Sequence, residues 1–132
     1  MPGVLDASGL LAYLKREPGE ERVAQAMAGG LVISSVNLAE VLAKLADAGA
    51  DPDQASTTLI ERGILNGTVT IEPFTDGDAL ASAKLRRATA SAGLSLADRA
   101  CLALASRLSV PALTADRVWS ALDTGVVVQV IR

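Results

Sequence analysis

Four carboxylates stand where a chain of alternating strands and helices could use them for chemistry: Asp6 after Val4-Leu5, Glu40 inside Asn37-Leu38-Ala39-Glu40-Val41, Asp98 in Ser95-Leu96-Ala97-Asp98, and Asp116 in Thr114-Ala115-Asp116. What they could do is bounded by what the chain lacks. It has no histidine and one cysteine, Cys101. Imidazole ligation, Ser-His and Cys-His catalysis, an intrachain disulfide and a thiolate zinc cluster are therefore excluded. Chemistry must come from carboxylates, hydroxyls, amides, Lys or Arg. Carboxylates holding a hard divalent cation are the reading that survives.

Each acid also has a purely structural reading. Asp6 and Asp116 suit N-caps, their carboxylates accepting amides of the turn that follows. Glu40 shares a helical arc with Asn37, Lys44 and Asp47, as a solvated polar face would. Asp98 stands three residues after Ser95, the spacing of a capping box. It also falls between the directions of Cys101, Leu102 and Ala105, and an ionised carboxylate on an apolar arc is costly unless paired, hydrogen-bonded or bound to a metal.

The elements that must position these residues are legible from punctuation and periodicity. Strands are expected at Gly3–Asp6, Leu31–Ser34, Thr68–Glu72, Ala112–Thr114 and Val126–Ile131. Helical patterns lie between them at Ala7–Arg16, Glu20–Ala28, Val36–Ala48, Asp53–Gly63, Asp78–Ala92, Ser95–Leu108 and Asp116–Leu122. Glycine or proline stops most of these helices: Pro18, Gly29-Gly30, Gly49, Gly93. Strands alternating with helices predict an α/β fold, and continuous apolar runs such as Val126-Val127-Val128 suit strands covered on both faces. In open sheets of this kind ligands bind beyond the carboxyl ends of the strands, which is where Asp6 and Asp116 fall.

The runs Val4-Leu5-Asp6-Ala7-Ser8, Ser35-Val36-Asn37-Leu38-Ala39-Glu40-Val41, Gly93-Leu94-Ser95-Leu96-Ala97-Asp98 and Leu113-Thr114-Ala115-Asp116-Arg117 resemble the four acidic motifs of PIN-domain ribonucleases, in the family's order. The size and the Gly-Leu-Ser-Leu-Ala-Asp block are most similar to VapC toxins of VapBC toxin–antitoxin modules. The resemblance covers essentially residues 1–132 as one PIN domain. It implies a three-layer α/β/α domain with a mostly parallel sheet of four to five strands. The implied activity is Mg²⁺- or Mn²⁺-dependent endoribonuclease cleavage, leaving 5′-phosphate and 3′-hydroxyl ends. Asp6 and Asp98 would be the principal ligands. Glu40 and Asp116 would complete the site, through a second ion or the cation's water shell. Ser8, Asn37 and Thr114 would support the ligands from behind.

Length and composition agree with one domain: 132 residues, half of them hydrophobic and a fifth charged, exclude a disordered or collagen-like chain. The net charge of −3 does not advertise nucleic-acid binding, so attraction to phosphate has to be local. The cluster Lys84-x-Arg86-Arg87, with Arg99 and Arg117 beside the acidic motifs, is the expected RNA contact. Its bland reading is a solvated helix face. Aromatic residues are confined to Tyr13, Phe74 and Trp119, so a structured RNA gripped by its backbone is expected, tRNA or rRNA by family resemblance. The longest stretch without an ionisable side chain, Val23–Ala39, holds Gly29, Gly30, Ser34, Ser35 and Asn37 and is not read as a membrane span. The opening Met-Pro-Gly-Val-Leu-Asp lacks a basic run and is not read as a signal peptide; a cytoplasmic protein is expected.

Partners follow from the resemblance and from apolar surplus. Leu10, Leu11, Leu14, Val36, Leu42 and Leu45 suggest apolar helix surface to cover, and a homodimer plus a VapB-type antitoxin is expected. Two other readings remain. One is a PIN-like module that binds a cation or partner without cleaving anything. The other is a receiver-like Mg²⁺ domain, weakened by the absence of an acidic pair at the first strand.

Overall fold

The computed structural model describes residues 3–132. Five short strands form one parallel sheet: β1 (Gly3–Leu5), β2 (Leu31–Ser34), β3 (Val69–Glu72), β4 (Ala112–Thr114) and β5 (Val128–Val130), in the order β3-β2-β1-β4-β5. Seven α-helices connect them: α1 (Ala7–Leu14), α2 (Glu20–Met27), α3 (Ser35–Asp47), α4 (Pro52–Glu61), α5 (Asp76–Lys84), α6 (Arg86–Thr89) and α7 (Leu96–Leu108). The expected α/β class holds, and the sheet has five strands, all parallel.

Alternation along the strands sorts side chains between two cores. Leu5, Leu31 and Ile33 pack with Leu10, Leu11, Val23, Val41 and Leu59, while Val4 and Val32 pack on the other face with Leu102, Leu104 and Trp119. Successive strand residues point to opposite faces, so the three inner strands β1, β2 and β4 are buried on both faces, whereas the edge strands β3 and β5 are only partly buried. Burying one such Leu or Val stabilises the fold by about 1.5–3 kcal/mol.

Three expected elements differ. The run Val126-Val127-Val128 is not a strand covered on both faces: β5 begins only at Val128, and Val127 is 68% exposed. The pattern over 78–92 is not one helix: α5 ends at Lys84, α6 follows, and Ala90–Ala92 is a 3-10 turn. Thr89 is fully buried and its hydroxyl donates to the Leu85 carbonyl at 2.8 Å, a back-bond that competes with regular helix and bends it. The start of α5 lies two residues earlier than expected because Thr75 and Asp78 form a reciprocal capping box. The pattern at 116–122 is a 3-10 segment, Arg117–Ala121, capped by Asp116.

The apolar surplus assigned to α1 and α3 is largely spent inside. Leu10 and Leu11 are in the core, and Leu14 and Leu45 pack against it. The large apolar side chains left exposed are Ile60, Leu80, Leu96, Val118 and Val127. Among the described residues no helix is long and apolar enough to cross a membrane.

Candidate active site

The chain runs outward from β1 to β2 and β3, then returns so that β4 lies against the other side of β1. At such a reversal the loops leaving two neighbouring strands diverge and open a crevice. Asp6 follows β1 and Asp116 follows β4, so the strand order alone places both at this crevice. Glu40 reaches it from α3 and Asp98 from the first turn of α7. The four acids line one cleft of about 290 Å³. A larger hollow of about 600 Å³, lined by Tyr13, Leu14, Ala24, Ile64 and charged neighbours, holds none of them.

Asp6 forms the floor and is only 3% exposed. It is the N-cap of α1, with Oδ1 accepting the Gly9 amide at 2.8 Å. Thr114 Oγ1 donates to Oδ2 at 2.6 Å and Ser8 Oγ lies 2.8 Å from Oδ1. The two hydroxyls are themselves anchored: the Ala115 amide donates to Ser8 Oγ at 3.0 Å and the Asp116 amide to Thr114 Oγ1 at 3.0 Å. The end of β4 and the start of α1 are thereby stitched together around one carboxylate. Burial pushes the Asp6 carboxyl up from 3.8 to about 6, against the pull of its three hydrogen bonds, and the nearby Asp98 charge adds to the rise. Gly9 lets α1 descend this closely, since a Cβ there would stand 2.6 Å from Leu5 Cδ1 and 3.3 Å from Asp6 Oδ1.

Asn37 is the second fixture. It is 1% exposed; its Oδ1 accepts the Ala7 amide at 3.2 Å and its Nδ2 donates to the Ala97 carbonyl at 3.0 Å. One amide side chain on α3 thus ties the starts of α1 and α7, and with them Asp6 and Asp98. It does not lie on the solvated arc that helical spacing shared out among Asn37, Glu40 and Lys44.

The capping roles and the cleft roles coexist. Asp98 Oδ2 accepts the Ser95 amide at 3.0 Å while the Asp98 amide donates to Ser95 Oγ at 3.1 Å. Asp116 Oδ1 accepts the Val118 amide at 3.0 Å. Each cap uses one oxygen, and among the described residues no protein donor holds Asp98 Oδ1 or Asp116 Oδ2. The donor set is all oxygen, which fits Mg²⁺ or Mn²⁺ and not a soft metal. Among the described residues, no three acids stand close enough together to enclose an ion unaided. That fits a cation held by one or two carboxylates with water filling its shell, the habit of Mg²⁺.

The expected RNA-contacting arginines do not meet at the cleft. Arg99 is 8% exposed, and its Nη1 donates to the Ser82 carbonyl of α5 at 2.9 Å. It packs between α5 and α7, so the expected RNA contact at Arg99 is turned into the protein and away from the cleft. Arg86 and Arg87 line a shallow hollow with Lys84, apart from the acids. Arg117 is exposed and its Nε donates to the Arg132 carbonyl at 3.1 Å. The cations that do line the cleft are Lys15, Lys44 and Arg132. Lys44 was visible four residues after Glu40; nothing local marks Lys15 or Arg132.

A parallel α/β sheet with a cleft at its carboxyl edge, lined by four acids, defines the class: a small α/β domain with a clustered set of carboxylates beyond its strands. The family model of the PIN domain matches residues 3–128, and the chain belongs to that family, whose members are generally nucleases. No curated protein matches it at a significant level. Among solved structures it is similar to FitAcB from Neisseria gonorrhoeae, with 22% identity, TM-score 0.71 and coverage of 97% of this chain and 96% of that one. It is similar to VapBC2 from Rickettsia felis bound to a promoter DNA fragment, with 16% identity, TM-score 0.72 and coverage of 98% of both. VapBC-5 from Mycobacterium tuberculosis is 26% identical, with TM-score 0.59 and coverage of 99% and 98%.

Proposed function

We propose that this PIN domain is a VapC-type toxin of a type II toxin–antitoxin pair, acting as a divalent-metal-dependent endoribonuclease. The observation that carries the reading is the convergence of Asp6, Glu40, Asp98 and Asp116 on one cleft, around a buried carboxylate whose acidity is already perturbed. A bound Mg²⁺ would offset the carboxylate charge, polarise the scissile phosphodiester and acidify an attacking water. The protein's part is placement. Ser8, Gly9 and Thr114 fix the orientation of Asp6, and Asn37 fixes the spacing between the Asp6 and Asp98 turns. Asp6 and Asp98 would hold the cation, while Glu40 and Asp116 orient the water around it or hold a second ion.

An antitoxin partner is supported by the solved structures the chain resembles, among them a toxin–antitoxin complex from Klebsiella pneumoniae and VapBC-5 from Mycobacterium tuberculosis, described as a member of the VapBC family of toxin–antitoxin systems. The hollow beside α1 and α2, apolar on Leu14, Ala24 and Ile64, suits an amphipathic segment of such a partner. A homodimer would draw on the exposed Leu80 and Leu96 more than on the buried α1 leucines. The cytoplasm, where RNA is available, is the proposed compartment. The silent-module reading draws on one observation, the lack of three acids close enough to cage an ion. Incubating total cellular RNA with Mg²⁺ or Mn²⁺ separates the two. Cleavage that EDTA abolishes and that Asp98→Asn lowers at least a hundredfold is expected, and its absence, or full activity in excess EDTA, refutes the nuclease.

A further inference from the structure

The geometry points to Lys15 and Lys44 as the pair that grips the RNA backbone beside the acids, in place of the Lys84, Arg86 and Arg87 cluster. Lys15 is the C-cap of α1 and Lys44 lies in the last turn of α3. Both are exposed at their helices yet open into the cleft that holds Asp6, Glu40, Asp98 and Asp116. A cation near a helix C-terminus complements the dipole, but that would be served by a side chain on any side of the helix. Two different helices instead turn their cations toward the same cleft.

Neither lysine is consumed by a protein partner. Among the described residues the ion pairs are Asp78–Arg107 and Glu17–Arg132, although Glu40 stands one turn before Lys44, the spacing that favours a surface pair. Arg132 is different. Its Nη1 lies 3.6 Å from Glu17 Oε1 and donates to the Pro18 carbonyl at 3.3 Å, so its charge is already partly answered. That leaves two unpaired ammonium groups.

Charge makes the placement necessary. Four carboxylates alone would repel a phosphodiester. One divalent cation and two ammonium groups bring the cleft to about zero net charge, and a backbone phosphate can then enter. Asp6 and Lys15 cap opposite ends of α1, about 14 Å apart along its axis at a rise of about 1.5 Å per residue. Lys15 therefore contacts a phosphate flanking the scissile one, while Lys44, one turn after Glu40 on α3, stands nearer the acids. At about 290 Å³ the cleft is at the lower bound of small-ligand sites. What enters beside the acids is the RNA backbone, held by charge without base readout.

This inference rests on the nuclease reading, and binding tests it separately from cleavage. Fluorescence anisotropy of a labelled single-stranded RNA is measured over a salt series at a fixed low concentration of Mg²⁺ and on an Asp98→Asn background, so that the cation is present and the RNA stays whole. Each lost phosphate contact reduces the slope of log K against log salt by about 0.7 for a single strand. Lys15→Ala/Lys44→Ala is expected to reduce it by about 1.4, equally for RNAs of different sequence, and the Lys→Arg pair to restore it. Arg86→Ala/Arg87→Ala should leave it unchanged. An unchanged slope in the lysine variant, a reduced slope in the arginine variant, or no RNA binding by the parent overturns the grip. Metal-dependent cleavage by the wild-type protein alongside any of these keeps the nuclease and discards only the grip; no cleavage discards the nuclease.

Discussion

Replacing Asp6 by Asn should make the metal-free protein more stable while removing its chemistry. The buried carboxyl titrates at about 6 instead of 3.8. Its folded-state value lies above its unfolded one, so between those values the native state binds more proton, and the wild type loses stability as pH rises through that window. The gap, at 1.36 kcal/mol per pH unit, is worth about 3 kcal/mol. Asn does not titrate, and the network can accept it. Its Oδ1 still receives the Gly9 amide, while its Nδ2 donates to Thr114 Oγ1, whose proton turns to Ser8 Oγ at 3.4 Å. Guanidinium unfolding in EDTA should show Asp6→Asn and wild type close together near pH 4. The variant should then gain up to about 3 kcal/mol by pH 7, roughly 10 °C in Tm for a chain of this size. Adding Mg²⁺ at about 1,000 times its Kd should reverse the order, because it stabilises the wild type by about 4.1 kcal/mol and the Asn variant loses that site. A variant less stable than wild type at pH 7 without metal, or a difference that does not change between pH 4 and 7, refutes the reasoning.

Asn37→Ala leaves the Ala7 amide and the Ala97 carbonyl without their side-chain partner inside the protein. It should cost about 2–4 kcal/mol in denaturant unfolding and lower kcat more than it raises KM, since Asp6 and Asp98 lose their shared brace. Asp78→Ala removes a helix cap and the partner of Arg107, whose Nε donates to Asp78 Oδ1 at 2.9 Å. With Arg107 partly exposed, the pair adds little beyond the cap, and a loss of about 1–2 kcal/mol is expected by thermal melts. Burial raises the Asp78 carboxyl, but the Arg107 and Thr75 hydrogen bonds outweigh it and hold the group below its ordinary 3.8. Its contribution is therefore present above that value and lost as pH falls through the lowered one, so the difference between wild type and variant should shrink in acid.

What was legible in the sequence is what depends on neighbours along the chain. The absence of histidine and the single Cys101 narrowed the chemistry before any fold was considered. The Asp6 cap and the Ser95–Asp98 box were readable because their partners lie three residues away. Strand and helix order came through because burial gives the inner strands β1 and β2 apolar runs and glycine marks helix ends. Tertiary structure alone decided which faces those elements turn to one another. Thr114 reaches Asp6 across 108 positions and Asn37 reaches Ala97 across 60; no local pattern encodes such pairs. The same limit explains Arg99. It follows the acidic motif directly and reads as an RNA contact, but the packing of α5 on α7 surrounds its guanidinium. Lys15 and Lys44 show the converse, ordinary surface lysines in sequence that share a cleft because α1 and α3 pack side by side. Spacing along a helix specifies relative angles around its own axis; only the neighbour packed against it determines which of those angles faces the site.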